Sequence, residues 1–328
     1  MDESRYTTAL QEISRLANGA LAGQESANGA DSPAAAFDPG AGCRIMSVPP
    51  RLVEDAAALA VRINPVNAPL REFAVVGEAV PESPLRLTLR TTKYWGPAPR
   101  TLTVSFVETT PADLRARLLS HMNAWAQFCG VSFTETVGTG DVRISRGDGG
   151  YWSYLGTDIH LIPTNRQTMN LQGFTMNTRD SEFHRVVRHE TGHTLGFPHE
   201  HMRKALVDRI DRQKAYAYFL RTQGWDQQTV DQQVLTPLDP TEIIGTEADQ
   251  DSIMCYQLPA EITTDGQPIH GGVDINDSDG RFAGIVYPKS FGAGAGAPTS
   301  AVAGEVPVPR AGAVVDWDPR EDRPLVLR

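Results

Sequence analysis

The chain has 328 residues, 40% of them hydrophobic and 21% charged, with a formal net charge of −10 at pH 7. This is the composition of an ordinary globular protein, and its acidic balance argues against nucleic acid and anionic membranes, whose phosphates need clustered Lys and Arg. Cys43, Cys129 and Cys255 are odd in number, far apart and without a Cys-x-x-Cys pair, which argues against a disulfide framework and against a thiolate zinc site.

Met1-Asp2-Glu3-Ser4-Arg5 lacks a basic start followed by an apolar run, so no secretory signal is read there. No stretch approaches the roughly 18 apolar residues of a membrane span. Residues 1–42, rich in Ala, Gly, Ser and Asn, are expected to be mostly flexible. A helix is expected over Leu52–Arg62, closed by Asn64-Pro65. Residues 1–85 together read as a flexible extension or a pro-segment.

From residue 86 the pattern sharpens. Leu102, Val104 and Phe106 alternate with Thr103 and Ser105, as in a half-buried strand. Thr110-Pro111-Ala112-Asp113 offers a capping hydroxyl, a proline at the first helical position and an acid in the first turn. Leu118, Met122, Trp125 and Cys129 follow at helical spacing. Short strands are expected at Val131–Thr134, Asp141–Ser145 and Ile159–Ile162. Between the last two, Gly147-Asp148-Gly149-Gly150 turns the chain into the aromatic run Tyr151-Trp152-Ser153-Tyr154. Helices are expected at Ser181–Leu195, Arg212–Arg221 and near Asp277–Val286. The Gly/Ala/Pro-rich residues 291–328 read as a disordered tail.

The chemistry concentrates in residues 189–199, His-Glu-Thr-Gly-His-Thr-Leu-Gly-Phe-Pro-His. Histidines at i and i+4 share one helix face, so His189 and His193 can converge on one ion. Glu190, one residue round the helix, can reach a water beside the metal rather than the metal itself. Gly196 allows a sharp turn at the helix end and Pro198 forbids continuation, which brings in His199 as third ligand. Three imidazoles leave an open position, the catalytic type of zinc site. Chance produces this pattern in a chain of this composition with odds on the order of 10⁻⁵. His201 is the one substitute ligand considered; His121, His160, His184 and His270 are read as structural.

The pattern, with Ser252-Ile253-Met254-Cys255-Tyr256 downstream, resembles the metzincin metalloendopeptidases, whose methionine turn forms a floor beneath the zinc. Glu200 after the third histidine, Tyr256 two places after Met254 and the run Tyr151–Gly156 resemble the astacins, over roughly residues 90–290. Matrixins usually carry Ser after the third histidine and serralysins Pro. Paired cysteines are missing and Cys255 stands where a His is common, so the resemblance is to disulfide-free, bacterial-type members. It implies an α+β fold with a twisted mixed sheet of about five strands, an active-site helix and a C-terminal subdomain, spanning residues 86–290. It implies one catalytic zinc ion on His189, His193 and His199, Glu190 as general base, and Tyr256 as a resting ligand that assists the oxyanion. It also implies an extended protein or peptide substrate; a monomer is expected, without nucleic-acid or membrane partners. Secretion is implied by the family, against the missing signal. Gly42-Cys43-Arg44 and Phe37-Asp38-Pro39-Gly40 match neither the cysteine that caps the zinc of matrixins nor the aspartate motif of astacins, so a leader without a latency role is expected. A zinc-binding module without catalysis and a hydrolase of non-protein amides are the rival readings; the intact Glu190 and the open position argue against the first.

Overall fold

The computed structural model describes residues 43–67, 93–238 and 248–290. The expectations for residues 1–42 and for the 291–328 tail lie outside them. The described elements are β1 (Cys43–Met46), α1 (Val53–Ile63), β2 (Arg100–Phe106), α2 (Ala112–Met122), β3 (Val131–Glu135), β4 (Val142–Ser145), β5 (Tyr151–Tyr154) and β6 (Met169–Leu171). A long helix follows in three segments, Asp180–Glu182, a π-helical Phe183–Val187 and Arg188–Thr194, together α3. The C-terminal part holds α4 (Arg212–Gln223), α5 (Gln227–Val230, continued by a π-helical Asp231–Leu235) and α6 (Asp277–Val286).

The six strands form one mixed sheet in the order β1-β5-β6-β4-β2-β3. β5 runs antiparallel to β6, and β1 lies parallel to β5 along its outer edge. About five strands were expected; β1 is the additional one, and it comes from the stretch read as a flexible extension. Cys43–Asn67 is built into the fold: Val48 and Ala56 lie in the main core, and Asn67 donates to the Tyr94 carbonyl at 2.8 Å.

Two expected features differ. Ile159–Ile162 is not a strand; Gly156–Leu161 is a 3-10 helix with Ile159 fully buried. The largely apolar run satisfied a strand pattern, but the strand place beside β4 is taken by Met169–Leu171, whose three residues give too short a period to read. At α2, Pro111 is the N-cap and Thr110 makes no capping bond; its hydroxyl instead donates to the Glu108 carbonyl.

The core between sheet and helices is lined by Leu118, Met122, Trp125, Ile144, Phe183 and Val187, all fully buried. A second, smaller core in the C-terminal part gathers Ala215, Phe219, Val230, Val234 and Ile262 around Tyr256. The two parts are tied at the start of α6. Asn276 and Asp279 form a capping box there, and the Asp279 carboxylate also accepts from Ser252 Oγ (2.6 Å) and the Ile253 N–H (2.9 Å). One carboxylate therefore holds both a helix N-terminus and the methionine turn. Asp279→Ala leaves the cap and two donors of the turn without a partner, a loss of about 2–3 kcal/mol. For a domain of this size the melting temperature should fall by roughly 5–10 °C, measured by thermal unfolding of the full chain.

Candidate metal centre and cleft

The end of α3 explains why the third histidine arrives where it does. The last carbonyls of a helix lack partners. Here buried aromatic side chains supply them: Trp95 Nε1 donates to the Thr194 carbonyl at 2.8 Å and the Tyr287 hydroxyl donates to that of Leu195. The Phe197 N–H bonds back to the Gly192 carbonyl (3.0 Å) and the Gly196 N–H to that of His193 (2.8 Å), the Schellman pattern. Gly196 sits at φ +97°, and a Cβ there would stand 2.9 Å from the Tyr94 ring, so glycine is required twice over. The chain then reverses and brings His199 beside His193.

Gly192 has a different reason. A Cβ on it would run into the Met254 sulfur. The methionine turn packs directly against the helix between the two histidines, and Met254 is buried.

Two of the three rings are oriented by backbone carbonyls. His189 Nδ1 donates to Ile253 O at 2.6 Å, and His193 Nδ1 donates to Phe197 O at 2.7 Å. This fixes their tautomers and leaves each Nε2 lone pair facing inward. His193 Nε2 and His199 Nε2 stand 3.1 Å apart. Burial pushes His189 down to about 4 and drives His193 and His199 well below their usual range, so all three are neutral.

A fourth donor is present that sequence reasoning set aside. Cys43 Sγ lies 3.4 Å from His193 Nε2 and 3.6 Å from His199 Nε2. Together with His189 these four buried groups place their ligand atoms within 4.8 Å of one another. Tetrahedral zinc with bonds of about 2.0–2.1 Å to nitrogen and 2.3 Å to sulfur separates N from N by roughly 3.3 Å and S from N by roughly 3.6 Å. The spacing and the soft, neutral donor set both fit the ion. The His189 Nε2 atom, both Glu190 oxygens and the Tyr256 hydroxyl are buried without a hydrogen-bond partner, which a dication and its reactants would remedy. Burial pushes Glu190 up to about 8 and the Cys43 thiol well up; a dication among them would draw both protons off.

Tyr256 is 8% exposed, its ring 4.4 Å from that of His199 and stacked at 4.3 Å on that of His201. His201 is excluded as a ligand: its Nε2 donates to the Gln233 carbonyl at 2.9 Å, and its Nδ1 accepts from the Tyr256 N–H at 3.4 Å. Glu200 is an anchor of the turn, its N–H bonding Met254 O at 2.9 Å and its carboxylate accepting from the Asp249 N–H. His121, Asp180 and His184 gather elsewhere, but Arg117 bonds Asp180 at 3.0 Å and Arg188 lies 3.5 Å from His184. Two guanidiniums in that group disfavour a cation.

Cys43 was weighed as a zinc cap and set aside, whereas Gln233 escaped the sequence reading altogether. Its carboxamide accepts from the Ile45 N–H at 3.1 Å and donates to the Ile45 carbonyl at 3.3 Å. Neither residue carries a local signal. Cys43 lies far from the histidine motif in the chain, and Gln233 is one of two adjacent glutamines on a polar stretch.

Comparison with known proteins agrees with this geometry. Residues 88–267, more than half of the chain, match the family model for astacin, a family of peptidases. A solved structure of myroilysin is 30% identical with a TM-score of 0.57, covering 60% of this chain and 97% of its own. A second myroilysin structure is 27% identical, covers 75% of this chain and 100% of its own, and has a TM-score of 0.46. High choriolytic enzyme 1, a hatching enzyme zinc-protease from the medaka fish Oryzias latipes, is 19% identical, with coverages of 60% and 94% and a TM-score of 0.42. No curated protein matches. The three cysteines are free and buried, and no helix among the described residues is long and apolar enough to cross a membrane. The chain belongs to the astacin family of metallopeptidases and is a zinc-dependent metalloendopeptidase.

Proposed function

We propose that His189, His193 and His199 hold the single catalytic zinc, that Glu190 and Tyr256 carry the proton transfer and the oxyanion contact, and that Cys43–Met46 closes the cleft of a latent form. The observation that carries this reading is the four-donor cluster, in which Cys43 stands as the fourth group beside the three histidines. When bound, the zinc ion polarises the scissile carbonyl and increases the acidity of water.

The Glu190 carboxylate takes the proton of the attacking water and delivers it to the departing amine. Its full burial on the helix turn that carries His189 and His193 supports this role. The Tyr256 hydroxyl is a buried donor without a partner beside this centre, suited to a developing oxyanion. A protein substrate would lie along the edge of β5, pairing main chain to main chain. β1 occupies that edge here, register Cys43 to Tyr151 through Met46 to Tyr154, and supports the reading of the N-terminal segment as a pro-segment.

Each role has its own test. Glu190→Ala should retain zinc and fold while peptidase activity falls by several orders of magnitude; metal loss in this variant would contradict its role. Tyr256→Phe should lower kcat by about 10–10³-fold with KM and zinc content little changed, measured by steady-state kinetics beside metal analysis. Cys43→Ser should raise the activity of the full chain by about tenfold or more, since a tethered blocker acts at high effective concentration. In the cobalt-substituted chain the same change should abolish the thiolate charge-transfer absorption. A band that persists in Cys43→Ser would remove Cys43 from the metal.

A further inference from the structure

β1 is held on both sides, and only one side is sheet. In an extended strand the N–H and C=O of one residue point to one edge and those of the next to the other. Ile45 sends both of its groups away from β5, and both are met by the carboxamide of Gln233. A single side chain thus supplies to the outer edge what a further strand would supply.

Gln233 is built to stay in place. It lies in the π-helical end of α5, where Val230, Val234 and Leu235 are anchored in the smaller core. Its own carbonyl accepts from His201, the ring stacked on Tyr256. The residue is 9% exposed. With β1 gone, its amide N–H and C=O would face the groove beside β5, free to pair with another main chain.

We propose that Gln233 is a main-chain clamp of the substrate cleft, gripping the outer edge of any extended peptide that lies along β5. This rests on the peptidase reading above. A carboxamide carries a donor and an acceptor and can turn over to exchange them. It can therefore grip β1, which runs parallel to β5, and equally a substrate running the other way. The grip contains no side-chain recognition, so it adds affinity without sequence preference. Ile45 stands two residues from Cys43, so the clamp acts roughly 6–7 Å along the strand from the metal. Only substrates that extend at least two residues beyond the scissile bond on that side would feel it.

The test uses the full-length, zinc-loaded chain carrying Cys43→Ala and Ile45→Pro, which removes the β1 N–H that Gln233 accepts and frees the edge of β5, with Glu190→Gln added to stop turnover. A fluorescent, unfolded decapeptide serves as probe, its Kd read by anisotropy. Gln233→Ala, and Gln233→Glu, which keeps the acceptor and loses the donor, should each weaken binding by about tenfold, the value of one or two hydrogen bonds. N-methylation of the peptide amides one at a time should find a position where the methyl group weakens binding in the parent, yet changes nothing further in Gln233→Ala. In the chain with its native Cys43, Gln233→Ala should also speed alkylation of that thiol by about tenfold, as β1 loosens. Equal affinities, or a methylation penalty identical in both backgrounds, would overturn the clamp. Absence of peptide cleavage by the Cys43→Ala chain with Glu190 intact would instead count against the peptidase roles, and the binding measurement separates the two.

Discussion

Three buried imidazoles must stay neutral and aim one lone pair each at a common point, and the structure is arranged around that requirement. A neutral imidazole has one donor and one acceptor, so its direction is fixed by where the donor goes. For His189 the donor goes to the carbonyl of Ile253 in the methionine turn; for His193 it goes to Phe197, in the turn that ends the helix. The first turn is held by Asp279 at the start of α6, and the second by the bonds that terminate α3. The orientation of His189 and His193 is therefore set by two backbone turns, each fixed by ordinary capping chemistry.

The same economy of position accounts for the covered edge of the sheet. An edge strand with free N–H and C=O groups invites pairing, and a peptidase that binds extended chains must keep such an edge. In this chain the edge of β5 is covered by the chain's own β1, with Cys43 reaching the metal cluster at one end and Gln233 closing the far side. The segment is held there by backbone pairing and by one sulfur set among the histidines, contacts that do not depend on its other side chains.

Much of the site is legible in the sequence. The spacing of His189, Glu190 and His193 is a property of a single helix, and Gly196-Phe197-Pro198 dictates a turn by local sterics alone. Both need only the chain within eleven residues, and the fold brings the three histidines together. Local patterns also reveal β2, α2 and α6. They fail where an element depends on its neighbours: Ile159–Ile162 has the side chains of a strand and is not one, because the place beside β4 is filled by Met169–Leu171.

What the sequence determined by itself is thus the chemistry that one helix and one turn can specify: a zinc-binding pattern with a carboxylate beside it. Tertiary structure alone decided which long-range groups complete the cluster. Cys43 stands 150 residues from His193 in the chain and Gln233 stands 188 from Ile45, yet each pair is in contact. Helical spacing constrains side chains only three or four residues apart. Contacts at such separations follow from sheet order and helix packing, which no local periodicity encodes.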